Sequence, residues 1–134
     1  MTLEKSIAFA YLLRQNAKQH DLQHGRTQAT LAAYTQAADQ FFICANLSVL
    51  PDRRTKYFTV SARMFSSAGQ NVKAAQTYFT ARQYTEAAIH FKQARLYDEA
   101  ADVILGYKNE VEPKVAGQCI DLARVYLHRE GNLQ

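Results

Sequence analysis

Two consecutive stretches of the chain say the same thing: YFTARQYTEAA, beginning at Tyr78, and FKQARLYDEAA, beginning at Phe91, thirteen residues later. The shared frame is aromatic-x-x-Ala-x-x-Tyr-x-x-Ala-Ala. One step earlier Phe65, Ala68, Ala74 and Ala75 fit it, with Asn71 in place of the tyrosine. Nine of the 21 alanines thus fall in three columns of three, so small size at those positions is a structural requirement. A further step back keeps only the aromatic and the small pair, at Phe58, Ser61 and Ala62.

A repeat of this length with apolar positions three and four apart lines one face of an α-helix, so each copy is a short helix and a turn. Asn71, Thr85 and Asp98 stand where N-caps belong, with Glu86 and Glu99 in the first turns, which predicts helices over about 71–80, 85–94 and 98–107. Helices of about ten residues are not stable alone and must bury a face on a neighbour. The paired alanines let helix axes approach to the short end of the usual range, and the aromatic rings fill the space between layers. Ala88 belongs to such a contact, whereas Lys92 is expected in solvent.

Gly69-Gln70, Arg82-Gln83 and Arg95-Leu96 leave room only for chain reversals, so successive helices run antiparallel and two copies make one hairpin of about 26 residues. Outside the repeat, Leu3, Ile7, Ala10, Leu13 and Ala17 mark a helix to about His20, interrupted by Gly25. Leu31, Tyr34, Ala38, Phe41 or Phe42, and Ala45 mark a second, ending before Pro51. Pro51 opens a helix that stops at Gly69, residues 109–112 form a loop, and Pro113 opens a last helix closed by Gly131. The expected fold is therefore all-α: a long helical hairpin over residues 1–50, then short antiparallel hairpins stacked as an α-solenoid with a C-terminal helix over 51–134, in one continuous module.

Composition narrows the function classes. The 48% hydrophobic content, two prolines and five glycines fit a folded helical chain of one domain, or one segment of a longer protein. Residues 41–50 form the longest apolar stretch, well short of the ~20 needed to cross a membrane, and residues 1–13 lack the basic start and cleavage site of a signal peptide. No membrane partner and an intracellular home, cytoplasmic or nuclear, are expected. Cys44 and Cys119 each sit in an apolar helical pattern, as small buried hydrophobes do.

No phosphate-binding glycine motif occurs. His20 and His24 have the four-residue spacing of a helical zinc pair, but H20-DLQH-G25 supplies no further ligand than Asp21 and lies at a helix end, where a solvated histidine is the simpler reading. His90 and His128 have no nearby Ser or Cys to activate, and Asp98-Glu99 and Glu110-x-Glu112 read as cap and loop charges. No cofactor, metal or catalytic group is expected.

The tandem hairpins resemble tetratricopeptide-like repeats, although their unit is shorter than the usual 34 residues. More narrowly, FKQARLYDEAADVIL from Phe91, followed by IDLARVYLHREGNLQ from Ile120, is similar to the helical region of large fungal tetratricopeptide-and-ankyrin-repeat proteins. Those proteins resemble UvrD-like helicases of superfamily 1, and their helical region lies outside the ATPase core. The similarity is best over residues 58–134. It implies a non-catalytic accessory segment of a larger protein.

The net charge of +4 arises from 16 basic and 12 acidic residues, mostly interspersed. The one local cluster, Arg53, Arg54 and Lys56, opens a helix, where the dipole disfavours positive charge, so a partner contact is a reason for it to be there. Arg82, Arg95 and Lys108 recur every thirteen residues, but alternate turns fall on opposite edges: Arg82 and Lys108 share one, and Arg95 lies on the other with Gly69. The expected partner-binding residues are Arg53, Arg54, Lys56, Arg82 and Lys108, on a scaffold that holds a protein or peptide, or another region of its parent chain. The alternative is an accessory nucleic-acid surface of a helicase-like protein. Its weakness is the low charge, and Tyr78, Tyr84, Phe91 and Tyr97 are assigned to packing rather than to base stacking, so contact with nucleic acid is expected to be weak.

Overall fold

A computed structural model describes residues 2–131, with side chains through Tyr126. The last three positions of the expected repeat region and the side chain of His128 lie outside them. The described residues form seven α-helices and one 3-10 turn, with no strand: α1 Leu3–His24, α2 Gln28–Leu47, α3 Pro51–Ser67, α4 Asn71–Thr80, α5 Tyr84–Gln93, α6 Tyr97–Gly106, the turn Lys108–Glu110, and α7 Pro113–Gly131. Each helix packs on the next, and α5 also meets α7. The helices are stacked antiparallel: the end of α1 meets the start of α2 through His20 and Thr30, and Tyr97 at the start of α6 lies 5.7 Å, ring to ring, from Tyr126 late in α7.

The long hairpin is closed by local polar chemistry. Thr2 and Thr27 cap α1 and α2 by accepting from the N–H groups of Lys5 and Thr30. α1 runs a full turn beyond the expected His20, to Gly25, whose φ of 73° ends it while its N–H still reaches the Asp21 carbonyl. Beyond α2, the Ser48 hydroxyl donates back to the Cys44 carbonyl at 2.8 Å, and Pro51, which has no N–H to satisfy, starts α3.

The three short reversals are one turn built three times. Gly69, Arg82 and Arg95 all adopt left-handed backbone, at φ 78°, 61° and 63°. In each, the following N–H returns to the carbonyl of the column aromatic: Gln70 to Phe65, Gln83 to Tyr78 and Leu96 to Phe91, all at 2.9 Å. The left-handed residue itself donates to the next carbonyl, on Ser66, Phe79 or Lys92. This is the Schellman pairing, which satisfies two otherwise free helix carbonyls. The aromatic columns therefore recur because the same turn must begin from the same place.

The caps differ from the sequence expectation. Asn71, Thr85 and Asp98 lie inside the first turns; the N-cap positions are Gln70, Gln83 and Leu96, and none makes a side-chain cap bond. The residue after each left-handed position is already the N-cap, one place before Asn71 and two places before Thr85 and Asp98. Thr85 is used elsewhere: its hydroxyl accepts from the Glu112 N–H at 2.9 Å and holds the loop before α7. Gln70 and Gln83 reach across layers instead, donating to Thr35 of α2 at 2.9 Å and Thr59 of α3 at 2.7 Å. Each threonine hydroxyl in turn donates to the carbonyl four residues back.

The core follows the columns. Ala74, Ala75, Ala87, Ala88 and Ala100 are fully buried, and Phe65, Tyr78 and Phe91 nearly so. In the last copy Ala94 and Ala101 are only half-buried, because α6 faces α7, which lacks the repeat pattern. Phe41 rather than Phe42 fills the centre of the first hairpin, with Tyr11 edge-on at 5.1 Å. Lys92, expected in solvent, is half-buried and lies close enough to Cys119 to oppose the upward push that burial gives that thiol.

Candidate functional site

Stacking leaves α2, α4 and α6 in one layer, and two grooves open on either side of α4. The first, about 300 Å³, has Phe65 as floor, Asp39 and Phe42 on the α2 side, and Lys73, Gln76 and Thr80 on the α4 side. The second, about 410 Å³, has Phe91 as floor, Gln76, Phe79 and Thr80 on the α4 side, and Glu99, Asp102 and Val103 on the α6 side. Gln76 and Thr80 are common to both, so α4 is the ridge between them.

A third groove, about 500 Å³, runs between α1 and α3. Tyr11 and Arg14 come from α1, Lys56 and Arg63 from α3, and Gln83 from the turn after α4; Asp52 is the acid on its wall. Three cations against one carboxylate make it a positive channel. Arg63 also neighbours Tyr78, whose phenol is pushed up mainly by burial and by Glu86, with Arg63 pulling the other way.

The expected site residues are distributed over this surface. Arg53, Arg54 and Lys56 are all exposed, but they do not act as one patch. The Arg54 guanidinium lies 5.5 Å from the centroid of Phe58, while Lys56 approaches Tyr57 at 6.0 Å and lines the positive groove. Helical rotation places residues 54 and 56 about 200° apart around α3, which a linear cluster conceals. Arg82 and Lys108 share an edge: Tyr107 stacks on Tyr84 with ring centroids 3.7 Å apart and planes 10° from parallel. Phe79 meets both rings edge-on. Burial first, then the Tyr107 hydroxyl, push the Tyr84 phenol up, with Arg82 opposing. On the other edge, Ser66 near Gly69 meets His90 on α5, the helix that leads into the Arg95 turn.

The histidines are tied into the scaffold. His90 is buried; its Nδ1 must carry the proton, since it lies 2.8 Å from the Glu86 carbonyl, and Nε2 pairs with the Ser66 hydroxyl at 3.2 Å. His20 bonds Thr30 at 2.6 Å, so it joins α1 to α2 rather than standing in solvent, and the exposed His24 ring lies 4.6 Å from it, tilted by 47°. Among the described residues no three His, Cys, Asp or Glu side chains converge as metal ligands, and no helix is long and apolar enough to cross a membrane. Cys44 and Cys119 are buried free thiols.

Arg14, Arg63, Lys73 and Asp102 escaped the sequence reading, which took Glu99 only as a charge in the first turn of its helix. Arg14 and Arg63 meet only through the tertiary fold. Lys73 and Glu99 carried a signal, since they occupy the same place in the frame one 26-residue hairpin apart. Comparison with protein-family models, with curated proteins and with solved structures found no match.

Proposed function

We propose that this chain is a non-catalytic, tetratricopeptide-like helical-repeat scaffold that holds a protein or peptide, or another region of its parent chain. The observation that carries this reading is the pair of open grooves flanking α4, each with an aromatic floor and charged walls, repeated with the period of the hairpin. Stacked helices make such extended concave surfaces, and peptides are held by apolar anchors with a polar rim. The ends of the stack support the intramolecular variant: Phe9, Leu12, Ile43 and Leu47 are exposed on the first hairpin, and Leu122 and Val125 on the last helix, as on solenoid layers that stack on further layers. Selecting peptides from a random display library against the folded chain tests the reading. Sequences that bind with dissociation constants below about 100 μM and compete with one another support it; a library that yields none rejects it.

The positive groove favours a second reading, an accessory nucleic-acid surface using Arg14, Lys56 and Arg63 of the groove together with the exposed Arg53 and Arg54 at the start of the same α3 helix. Titration of a labelled oligonucleotide at low salt and at about 0.2 M salt separates the two. A scaffold binds no better than the ~10⁻⁴ to 10⁻⁶ M of nonspecific contact and loses most of it when Arg53, Arg54 and Lys56 are neutralised together. Submicromolar binding that survives both changes assigns the chain to nucleic acid.

A further inference from the structure

The two grooves beside α4 are one design with the charge changed. A step of 26 residues carries Phe65 to Phe91, Lys73 to Glu99, Gln76 to Asp102 and Thr77 to Val103. In the first groove the chain covers its own floor: Lys73 Nζ stands 5.6 Å from the centroid of the Phe65 ring, and Asp39 faces it from the opposite wall. In the second, the position that held the cation holds a carboxylate. Among the described residues no cation lies over Phe91 or over Phe79, a residue that is 39% exposed.

Of the two acids of the second groove, the fold alone accounts for one. Glu99 is in the first turn of α6, where the helix dipole favours it. Asp102 is a turn further on, beyond that effect, and on the same face as Glu99, where like charges repel. Both are exposed, and the ion pair found among the described residues is elsewhere, between Arg26 and Asp21.

We propose that the α4/α6 groove docks a cationic peptide segment: an Arg or Lys whose stem lies along Phe79 and Phe91 and whose charged head meets Glu99 and Asp102. The incoming cation does from outside what Lys73 does for Phe65 from within. Phosphate backbones are excluded by the same two carboxylates. The inference rests on the scaffold reading and specifies one of its surfaces.

The test uses the isotope-labelled chain and two capped tetrapeptides, Leu-Arg-Phe-Arg and the same sequence with citrulline for arginine, followed by amide chemical shifts. The arginine peptide is expected to shift residues around Phe79, Glu99, Asp102 and Val103, with a dissociation constant of about 1 mM for so short a probe. The neutral citrulline peptide is expected to bind at least about fivefold more weakly. Glu99→Lys restores the arrangement of the first groove and should weaken binding about tenfold in a chain that stays folded. Lys73→Glu, the reciprocal change, should open the first groove to the same peptide, with new shifts around Phe42 and Gln76. Absence of shifts at α4 and α6, equal binding of the citrulline peptide, or binding indifferent to Glu99→Lys overturns the proposal. Library peptides that bind a different face would leave the scaffold standing while this groove fails, whereas failure of both experiments removes both.

Discussion

The middle of the stack and its C-terminal end are built from the same frame, yet they are packed differently. Around α4 and α5 the alanine columns are fully closed, and the turns after α3 and α4 are tied across layers by Gln70 and Gln83. Around α6 only Ala100 of the same columns is fully closed, Ala94 and Ala101 are half-buried, and the glutamine position holds Leu96. A small residue permits a close approach; the neighbour decides whether the approach occurs. In the middle, each repeat helix lies between others of its kind. At the end, α6 lies against α7, whose Val115, Cys119 and Ile120 follow no such columns.

The largest expected difference is therefore between matched alanines. Ala88 is fully buried, so Ala88→Lys overfills a closed contact and strands a charge, and should cost about 4 kcal/mol or more in urea unfolding. Ala101→Lys, in the same column, leaves a route for the ammonium to reach water and should cost about 1 kcal/mol. Gln93, which is exposed, serves as the surface control. Similar losses at Ala88 and Ala101 would erase the distinction between middle and end.

Alkali should act on the buried tyrosines of the middle of the stack as well as on Tyr34 of the first hairpin, whose phenol is also raised chiefly by burial. Tyr78 and Tyr84 both have phenols raised above the ordinary value of 10.0, in each case chiefly by burial. A raised value means that the folded chain holds its proton where the unfolded chain has released it. Their contribution to stability is thus complete below about pH 10 and disappears as pH rises through the folded values. Unfolding followed against pH should show stability falling from about pH 10 upward, and less steeply in Tyr84→Phe. An unchanged slope in that variant would remove Tyr84 from the account.

Cutting a cross-layer tie should have a smaller effect. Gln83→Ala removes the donor to Thr59 and should cost about 1 kcal/mol, since the Thr59 hydroxyl keeps its own bond to the Thr55 carbonyl at 2.8 Å. Replacing Leu96 with Gln asks whether the end of the stack can be given the tie it lacks. A gain in stability there, measured by the same unfolding, would show that the frame rather than the neighbour limits the end.

What was legible in the sequence is what local chemistry determines. Alanine and aromatic columns, the positions of the reversals and the antiparallel order all follow from helical periodicity and from connections too short for anything else. The caps were misplaced because the right side chains come too late, Asn71 by one residue and Thr85 and Asp98 by two, and the left-handed turn starts the next helix without them. Thr85 serves a loop more than twenty residues away, which no local rule shows. The candidate surfaces were legible only in part. Lys56 reaches the positive groove as a member of the cluster, but of its companions there Arg63 lies two turns further along α3 and Arg14 comes from α1.

The reversals provide the finest comparison, because their geometry is constant while the residue at the left-handed position is not. Gly69 takes φ 78° with nothing within 4 Å of where a Cβ would stand, so Gly69→Ala meets no clash and pays only in backbone strain. That strain is about 1 kcal/mol for a residue with a side chain, and it is already present at Arg82 and Arg95, with φ 61° and 63°. Arg82→Gly and Arg95→Gly relieve it, but glycine also loosens the unfolded chain by about 0.5–1 kcal/mol, so the net gain should be only about 0.5 kcal/mol each. Because the turn has the same hydrogen bonds at all three places, the gain should be the same in the middle of the stack and at its end. Unequal gains would mean that the arginines hold their turns by something beyond backbone geometry. At Arg82 the candidate is its place beside Tyr84 and Tyr107, where it already opposes the raising of the Tyr84 phenol. Repeating Arg82→Gly in a Tyr84→Phe background, at neutral pH and above about pH 10 where the phenol begins to ionise, decides between the two, since the backbone gain survives the loss of the phenol and a charge interaction with the phenolate does not.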